Sequence, residues 1–344
     1  MRRQGRRWEV AVLGGSAEPL SRGYDLAMLD LDGVVYIGPE AVPGAAAHLA
    51  AARADGVRLA FITNNASRPP EQVAQHLRDL GVDASTDDVV TSAQAAARLV
   101  SDRFGAGARV VCLGADGLRE ALVAVGLVPV GADEDAVAIA TGYGPDVLWA
   151  DIMRAAVRIR DGLPWVASNT DATFPAAFGV APGHGVQVDM LRGFSGVDPV
   201  VAGKPERPLL DETVRRMGGQ RPLMVGDRLD TDIEGARRAG LDSLLVLTGV
   251  TGLEELVTAP EELRPTYVAP DLTGLLEAHA APREDGGRQV LGGWSAEVGD
   301  GRLQVTGAGA AGDWWRVVAS AAWRHVDGGG TVPDLDGLTP PREG

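Results

Sequence analysis

Short apolar runs that end in a polar residue alternate along the chain with stretches of helical periodicity. Leu26–Leu29 is an apolar run that closes on Asp30. Ala45 to Ala54 has helical character, and Arg58 to Thr63 is a second strand that closes on Asn64-Asn65. Helices are predicted over Glu71 to Leu80 and Ser92 to Asp102, then strands over Arg109–Leu113, Val137–Thr141 and Trp165–Ser168. Amphipathic helices fill Leu118–Val125 and Val147–Asp161. A Gly/Pro-rich stretch, Gly179 to Gly185, leads back to the strand-like Val200-Val201-Ala202. The last block is helix (Leu209–Met217), strand (Leu223–Asp227), helix (Asp232–Ala239) and strand (Ser243–Thr248).

Strands alternating with helices predict a parallel α/β sheet. The alternation restarts near residue 108, so one α/β block is spliced into another. The expected fold is α/β: a Rossmann-like core over 21–90 and 196–280, with an inserted α/β cap over 91–195. A small C-terminal extension takes 281–344. Residues 1–20 read as a disordered extension.

The 344 residues suffice for two domains, and 45% apolar content suffices for their cores. A net charge of −15 argues against nucleic acid or an anionic membrane surface as partner. No apolar run reaches the roughly 18 residues that span a bilayer. Cys112 is the single cysteine, so no internal disulfide forms and a reducing, cytoplasmic setting is expected.

Polar clusters fall at the ends of strands, where ligands of open α/β sheets sit. They are Asp30 and Asp32; Thr63, Asn64 and Asn65; Lys204; and Asp227 with Asp232 five residues on. Phosphoryl transfer needs such a set. A carboxylate can attack phosphorus and form an acyl-phosphate. Two anions meet only if a divalent cation offsets their charge, and Mg²⁺ favours oxygen ligands. Asp30 and Asp227 offer carboxylates, with the backbone carbonyl of Asp32 as a further oxygen and Asp232 in support. The Asp32 side chain is then free to act as acid and base. Thr63 and the N–H groups after it suit phosphate oxygens, and Lys204 offsets residual charge. Each cluster alone is an ordinary turn or cap; their joint order carries the argument.

These motifs resemble the haloacid dehalogenase superfamily of phosphatases. Asp30-Leu31-Asp32-Gly33, Phe61-Ile62-Thr63-Asn64-Asn65, Gly203-Lys204-Pro205 and Gly226-Asp227 through Asp232 are similar to its four motifs in turn. The resemblance covers about 22–280 and implies Asp30 as nucleophile, Asp32 as acid and base, and Mg²⁺ held by Asp30, Asp32 and Asp227. It points to the NagD-like, p-nitrophenylphosphatase branch with a large cap. Thr63 to Arg68, Asp88 to Gln94, Val201 to Pro205 and Leu247 to Val250 look most like bacterial glycerol-3-phosphate phosphatases. That implies glycerol 3-phosphate as substrate, with 2-phosphoglycolate, pyridoxal phosphate and nucleotides as alternatives. Phe174, before Pro175, falls in a cap loop that in this branch reaches toward substrate. Asn169 and Asp171 read as loop-fixing.

A non-enzymatic phosphate-binding regulator is the competing reading. Asp32 and a cap of about 100 residues, by sequence count, argue against it. Gly307 to Gly312 mimics a dinucleotide fingerprint, and Gln304 to Gly309 resembles an acetyltransferase pyrophosphate loop. No second strand with an acid follows, so a Gly/Ala linker is the stronger reading. Trp294, Trp314, Trp315 and Trp323 nevertheless predict a hairpin plus helix, resembling a reduced acetyltransferase-like extension. It would pack on the core or on a second subunit, which leaves a homodimer open. Cys112 and the five histidines read as structural, His184 excepted, because its Gly-rich loop could reach the site.

Overall fold

The computed structural model describes residues 13–176 and 178–341. The chain divides into two compact units. One comprises the chain up to Ile37, Ala41–Arg58 and Gln220 onward; the other comprises Gly38–Glu40 and Leu59–Gly219.

In the first unit, four parallel strands follow the order Tyr267–Ala269, Asp242–Val246, Pro222–Gly226, Leu26–Leu29. Leu26–Leu29 and Tyr267–Ala269 are buried throughout, the pattern of a parallel strand covered on both faces. The register sets Leu29 beside Val225, so both strands release their chains at one edge. Before the helix Glu234–Ala239, a π-helical turn spans Leu229–Ile233; the sequence predicts one regular helix from Asp232.

The extension belongs to this unit and is larger than the expected hairpin plus helix. Four antiparallel strands, Arg283–Asp285, Arg288–Leu291, Trp294–Gly299 and Arg302–Gly307, pair in sequence order. Each turn has two residues: Gly286-Gly287, Gly292-Gly293 and Asp300-Gly301. All six have positive φ, between 50° and 90°. Paired positive φ is the type I′ geometry that matches strand twist, and Gly-Gly and Asp-Gly adopt it readily.

Helix Ala311–Asp327 packs on this sheet. Its Trp314, Trp315, Val318 and Trp323 share one apolar cluster with Leu229, Leu245, Leu256 and Val268. Trp323 donates its indole N–H to the Leu256 carbonyl at 2.8 Å. The buried Arg264 guanidinium meets Asp327 through two bonds of 2.7 and 2.8 Å and lies over the Trp323 ring. Leu13 joins the same cluster, and Gly14 and Ser16 donate to the carbonyls of Thr266 and His279. The expected disorder of residues 1–20 is therefore corrected from Leu13 onward, where apolar burial and backbone pairing fix the chain. Residues 1–12 lie outside the described residues.

The second unit holds a five-stranded parallel sheet in the order Val200–Val201, Trp165–Ala167, Ala138–Thr141, Arg109–Leu113, Val128–Val130. It also holds Arg58–Thr63, except Arg58, paired in parallel with Val89–Thr91. A hairpin, Thr173–Ala176 with Gly179–Pro182, precedes a twelve-residue helix, His184–Ser195. The sequence reading has only a Gly/Pro-rich return here. Three nearby glycines mask a helix whose inner face is His184, Val188 and Leu191.

Candidate active site

Asp30 directly follows the strand Leu26–Leu29, and its N–H donates to the Val225 carbonyl at 2.9 Å. Asp227 directly follows the neighbouring strand Pro222–Gly226. Both therefore emerge at the carboxyl edge of one parallel pair. Asp232 folds back through the π-turn. Its Oδ2 accepts the N–H groups of Asp227 and Arg228 at 3.2 and 3.1 Å. One carboxylate oxygen from each of Asp30, Asp227 and Asp232 lies within 4.8 Å of the others. Asp227 and Asp232 are buried, and Asp30 is partly exposed.

Three carboxylates this close, two of them buried, repel unless a cation offsets them. The donor set is all oxygen, which suits a hard divalent ion. The surroundings are shaped around it. A Cβ on Gly33 or Gly249 would lie 2.4 or 2.0 Å from Asp227 Oδ2, so only glycine leaves that oxygen its place. Val250 N–H donates to the same oxygen at 2.7 Å. Gly249 and Val250 enter the sequence reading only as part of a family signature, not as site residues. A glycine three residues past the strand Asp242–Val246 is their faint signal.

The trio comprises side-chain carboxylates alone, whereas the oxygen expected of Asp32 is its backbone carbonyl. Asp232 brings a carboxylate, whereas Asp32 is exposed and adds none to the cluster.

The remaining expected residues belong to the second unit. Thr63 ends its strand half-buried, and its Oγ1 accepts the Asn65 N–H at 3.0 Å. Asn65 Oδ1 accepts from the N–H and hydroxyl of Ser67, an Asx-type turn. The Asn64 side chain is committed to protein: its Nδ2 donates to Lys204 O and Asp171 Oδ1, both at 3.0 Å, and its Oδ1 accepts Lys204 N–H at 2.8 Å. The Asn64 side chain thus holds the Lys204 peptide. Lys204 is 2% exposed. Asn169 Nδ2 donates to the Asn64 carbonyl at 2.7 Å and its Oδ1 accepts Asp171 N–H at 3.2 Å, the loop-fixing role read from sequence. The Phe174 ring meets Tyr143 edge-on, centroids 4.8 Å apart. His184 is buried, and burial lowers its pKa to about 4 against the bond to the Asn169 carbonyl, which acts in the other direction. Cys112 is buried, and burial pushes its thiol up to about 11. It is no nucleophile.

The tail glycines have a packing role. Arg302–Gly307 is antiparallel to its neighbour, which a dinucleotide fold does not allow. A Cβ on Gly307 or Gly309 would sit about 2 Å from the carbonyls of Gly293 or Gly292.

Residues 27–128 match the haloacid dehalogenase-like hydrolase family, and 201–275 match the HAD-hydrolase-like family. The chain is 42% identical over 318 residues to D-glycerol 3-phosphate phosphatase of Mycobacterium tuberculosis, covering 88% of this chain and 87% of that protein. The chain is a haloacid dehalogenase-like hydrolase. Acid sugar phosphatase of Staphylococcus aureus is 34% identical over 72% of this hydrolase and 95% of its own length. Among solved structures, glycerol phosphate phosphatase from M. tuberculosis in complex with magnesium superposes with a TM-score of 0.81. It has 41% identity and covers 89% of this chain and 92% of that one. 4-Nitrophenylphosphatase from Thermotoga maritima gives 0.69 at 31% identity, covering 75% and 98%. Among the described residues of this hydrolase, no helix is long and apolar enough to cross a membrane.

Proposed function

We propose that this hydrolase cleaves small phosphomonoesters with Mg²⁺, and that D-glycerol 3-phosphate is its principal substrate. The carboxylate trio Asp30, Asp227 and Asp232 carries the proposal, and the similarity to a D-glycerol 3-phosphate phosphatase selects the ester.

Asp30, the reachable member of the trio, attacks phosphorus; the ester P–O bond breaks and the alcohol leaves with a proton from Asp32. Asp32 then takes a proton from the water that attacks the aspartyl-phosphate. Phosphate departs and Asp30 is regenerated. Mg²⁺ bound by Asp30, Asp227 and Asp232 would offset the charge between nucleophile and phosphoryl oxygens. Thr63, the N–H groups of Asn64 and Asn65, and Lys204 are assigned to the phosphoryl oxygens, while the Asn64 side chain fixes the Lys204 peptide. Phe174, edge-on to Tyr143, is assigned to the alcohol end. In domain terms, residues 21–90 and 196–280 act as the catalytic core and 91–195 as a cap that selects the ester.

A panel of phosphomonoesters, with Mg²⁺ and with chelator, tests this reading. Fastest turnover on D-glycerol 3-phosphate is expected, ahead of 2-phosphoglycolate, pyridoxal phosphate and nucleotides. Failure to turn over any of them with Mg²⁺ would reject it.

We also propose a homodimer formed through helix Trp149–Arg160. Trp149, Met153 and Val157 recur at four-residue spacing and are 60, 49 and 40% exposed, with Leu148 beside them at 65%. Such a stripe is costly in water and suits an interface core. Sedimentation showing a monomer at micromolar concentration would dismiss it. A reducing, cytoplasmic setting accords with a single, buried cysteine.

A further inference from the structure

His184 begins the helix His184–Ser195 and is 3% exposed, yet the mechanism above gives it no part. Its surroundings are tight. A Cβ on Gly183 or Gly185 would lie 2.2 Å from the carbonyls of Asp171 or Thr170, so only glycines let the helix start press against the 169–172 loop. Gly185 N–H donates to the Asp171 carbonyl and Gly183 N–H to the Ala172 carbonyl, both at 2.8 Å. Between these glycines, the imidazole points Nδ1 at the Asn169 carbonyl, 2.9 Å away.

A carbonyl only accepts, so Nδ1 carries the proton and Nε2 keeps its lone pair. Nε2 has no hydrogen-bond partner among the described residues. Leaving a buried acceptor bare costs on the order of 1–3 kcal/mol. A residue retained solely for packing would avoid that cost. What the imidazole secures instead is the Asn169 carbonyl, and Asn169 is the first link of a continuous run. Asn169 Nδ2 donates to the Asn64 carbonyl at 2.7 Å, which also accepts the Ser92 hydroxyl at 2.6 Å. The Asn64 side chain then grips Lys204 at both its N–H and its carbonyl. Gly203 completes the fit, since a Cβ there would lie 2.6 Å from Asn64 Oδ1 and 2.7 Å from the Ser168 carbonyl.

We propose that His184 is a positioning residue for the phosphate-binding lysine: its Nδ1–H anchors the Asn169 loop, and through Asn169 and Asn64 fixes the backbone of Lys204. The inference rests on Lys204 acting on the phosphoryl group, as proposed above. The ring works as a neutral donor, and burial keeps it neutral down to about pH 4. It neither transfers a proton nor touches the reacting atoms.

Two amide substitutions separate the ring nitrogens. Asparagine can place its amide N–H where Nδ1 stands, whereas glutamine places it near Nε2. With Mg²⁺ and D-glycerol 3-phosphate, His184→Asn should keep kcat within about threefold of the unsubstituted enzyme. His184→Gln should lower kcat by about 10- to 100-fold and change KM less than about threefold, because Lys204 acts most on charge that develops in the transition state. Nitrogen-15 NMR of the unsubstituted protein should report the Nδ1–H tautomer of His184 at neutral pH. An Nε2–H tautomer or an imidazolium overturns the proposal, whether or not any ester is turned over. Glutamine as active as asparagine overturns it too, as does a fall in melting temperature with unchanged kcat in the folded protein. An enzyme that hydrolyses no phosphomonoester while showing the Nδ1–H tautomer instead rejects the phosphatase reading on which the role of Lys204 depends.

Discussion

Asn64 and Lys204, 140 residues apart, hold each other at both ends of one peptide group. Lys204 N–H donates to Asn64 Oδ1 at 2.8 Å, and Asn64 Nδ2 returns a bond to the Lys204 carbonyl at 3.0 Å. An asparagine is the side chain that does this, because its amide offers an acceptor and a donor in one plane. The lysine is thus fixed through its backbone.

Asn64→Ala should accordingly harm stability and turnover together. It strands buried backbone groups at Lys204, which costs about 2–4 kcal/mol. Scanning calorimetry should show a melting temperature lower by roughly 5–10 °C, at about 2–4 °C per kcal/mol for a unit of this size. An unchanged melting temperature would mean that the clasp does not form in solution.

Asp30→Asn keeps the shape of the nucleophile and removes its negative charge. Turnover should fall by at least about a thousandfold, with circular dichroism and melting temperature unchanged or improved, because one of three mutually repelling carboxylates is gone. Residual activity of a tenth or more would assign the nucleophile elsewhere.

Gly249→Ala tests the cradle around Asp227. The new methyl would lie 2.0 Å from Asp227 Oδ2, closer than any contact allows, so the carboxylate must move. Titrating activity against Mg²⁺ should show half-saturation shifted upward by about tenfold or more, which corresponds to about 1.4 kcal/mol. An unshifted Mg²⁺ curve would detach Asp227 from the ion.

His279 gives the fold an acid-sensitive point. It is buried, its ring meets Tyr267 edge-on, and Nε2–H donates to the Gly274 carbonyl at 2.7 Å. Burial, aided by the charge of Arg316, lowers its pKa from the ordinary 6.5 to about 4. Between those values the unfolded chain binds the proton and the folded one does not. Stability is therefore complete above pH 6.5 and is lost as pH falls toward 4, by up to about 3 kcal/mol at 1.4 kcal/mol per unit. His184 contributes in the same direction. His279→Gln keeps the donor without the titration, so its urea midpoint should fall less steeply than the parent's over this window. Parallel slopes would place the acid sensitivity elsewhere.

The strand-end acids were legible because a parallel strand announces itself as an unbroken apolar run, and its end is where a polar residue stands out. Asp30 and Asp227 stand out in this way, and their joint order with Lys204 carries the reading. Asp232 was underrated because its carboxylate arrives by way of a π-turn, and nothing local distinguishes that turn from an ordinary helix start. The clasp between Asn64 and Lys204 has no local signal, because its partners lie 140 residues apart, beyond any spacing rule. The helix His184–Ser195 was hidden by glycines whose purpose is close approach to the 169–172 loop. The three two-residue hairpins of the extension were written openly as Gly-Gly, Gly-Gly and Asp-Gly, and could have been read from sequence.

The apolar cluster that joins Leu13 to Trp323 has a consequence for how the chain is made. On the ribosome the nucleophile strand emerges before Leu59–Gly219, but its unit draws the helix Ala311–Asp327 from beyond that segment. Leu59–Gly219 is complete roughly 108 codons before the end of that helix (327 − 219), on the order of ten seconds at ordinary elongation rates. During that interval the strand bearing Asp30 is a nascent apolar segment without its full partner set. Chaperone occupancy on stalled nascent chains should accordingly persist past residue 219 and drop only when Ala311–Asp327 has cleared the exit tunnel.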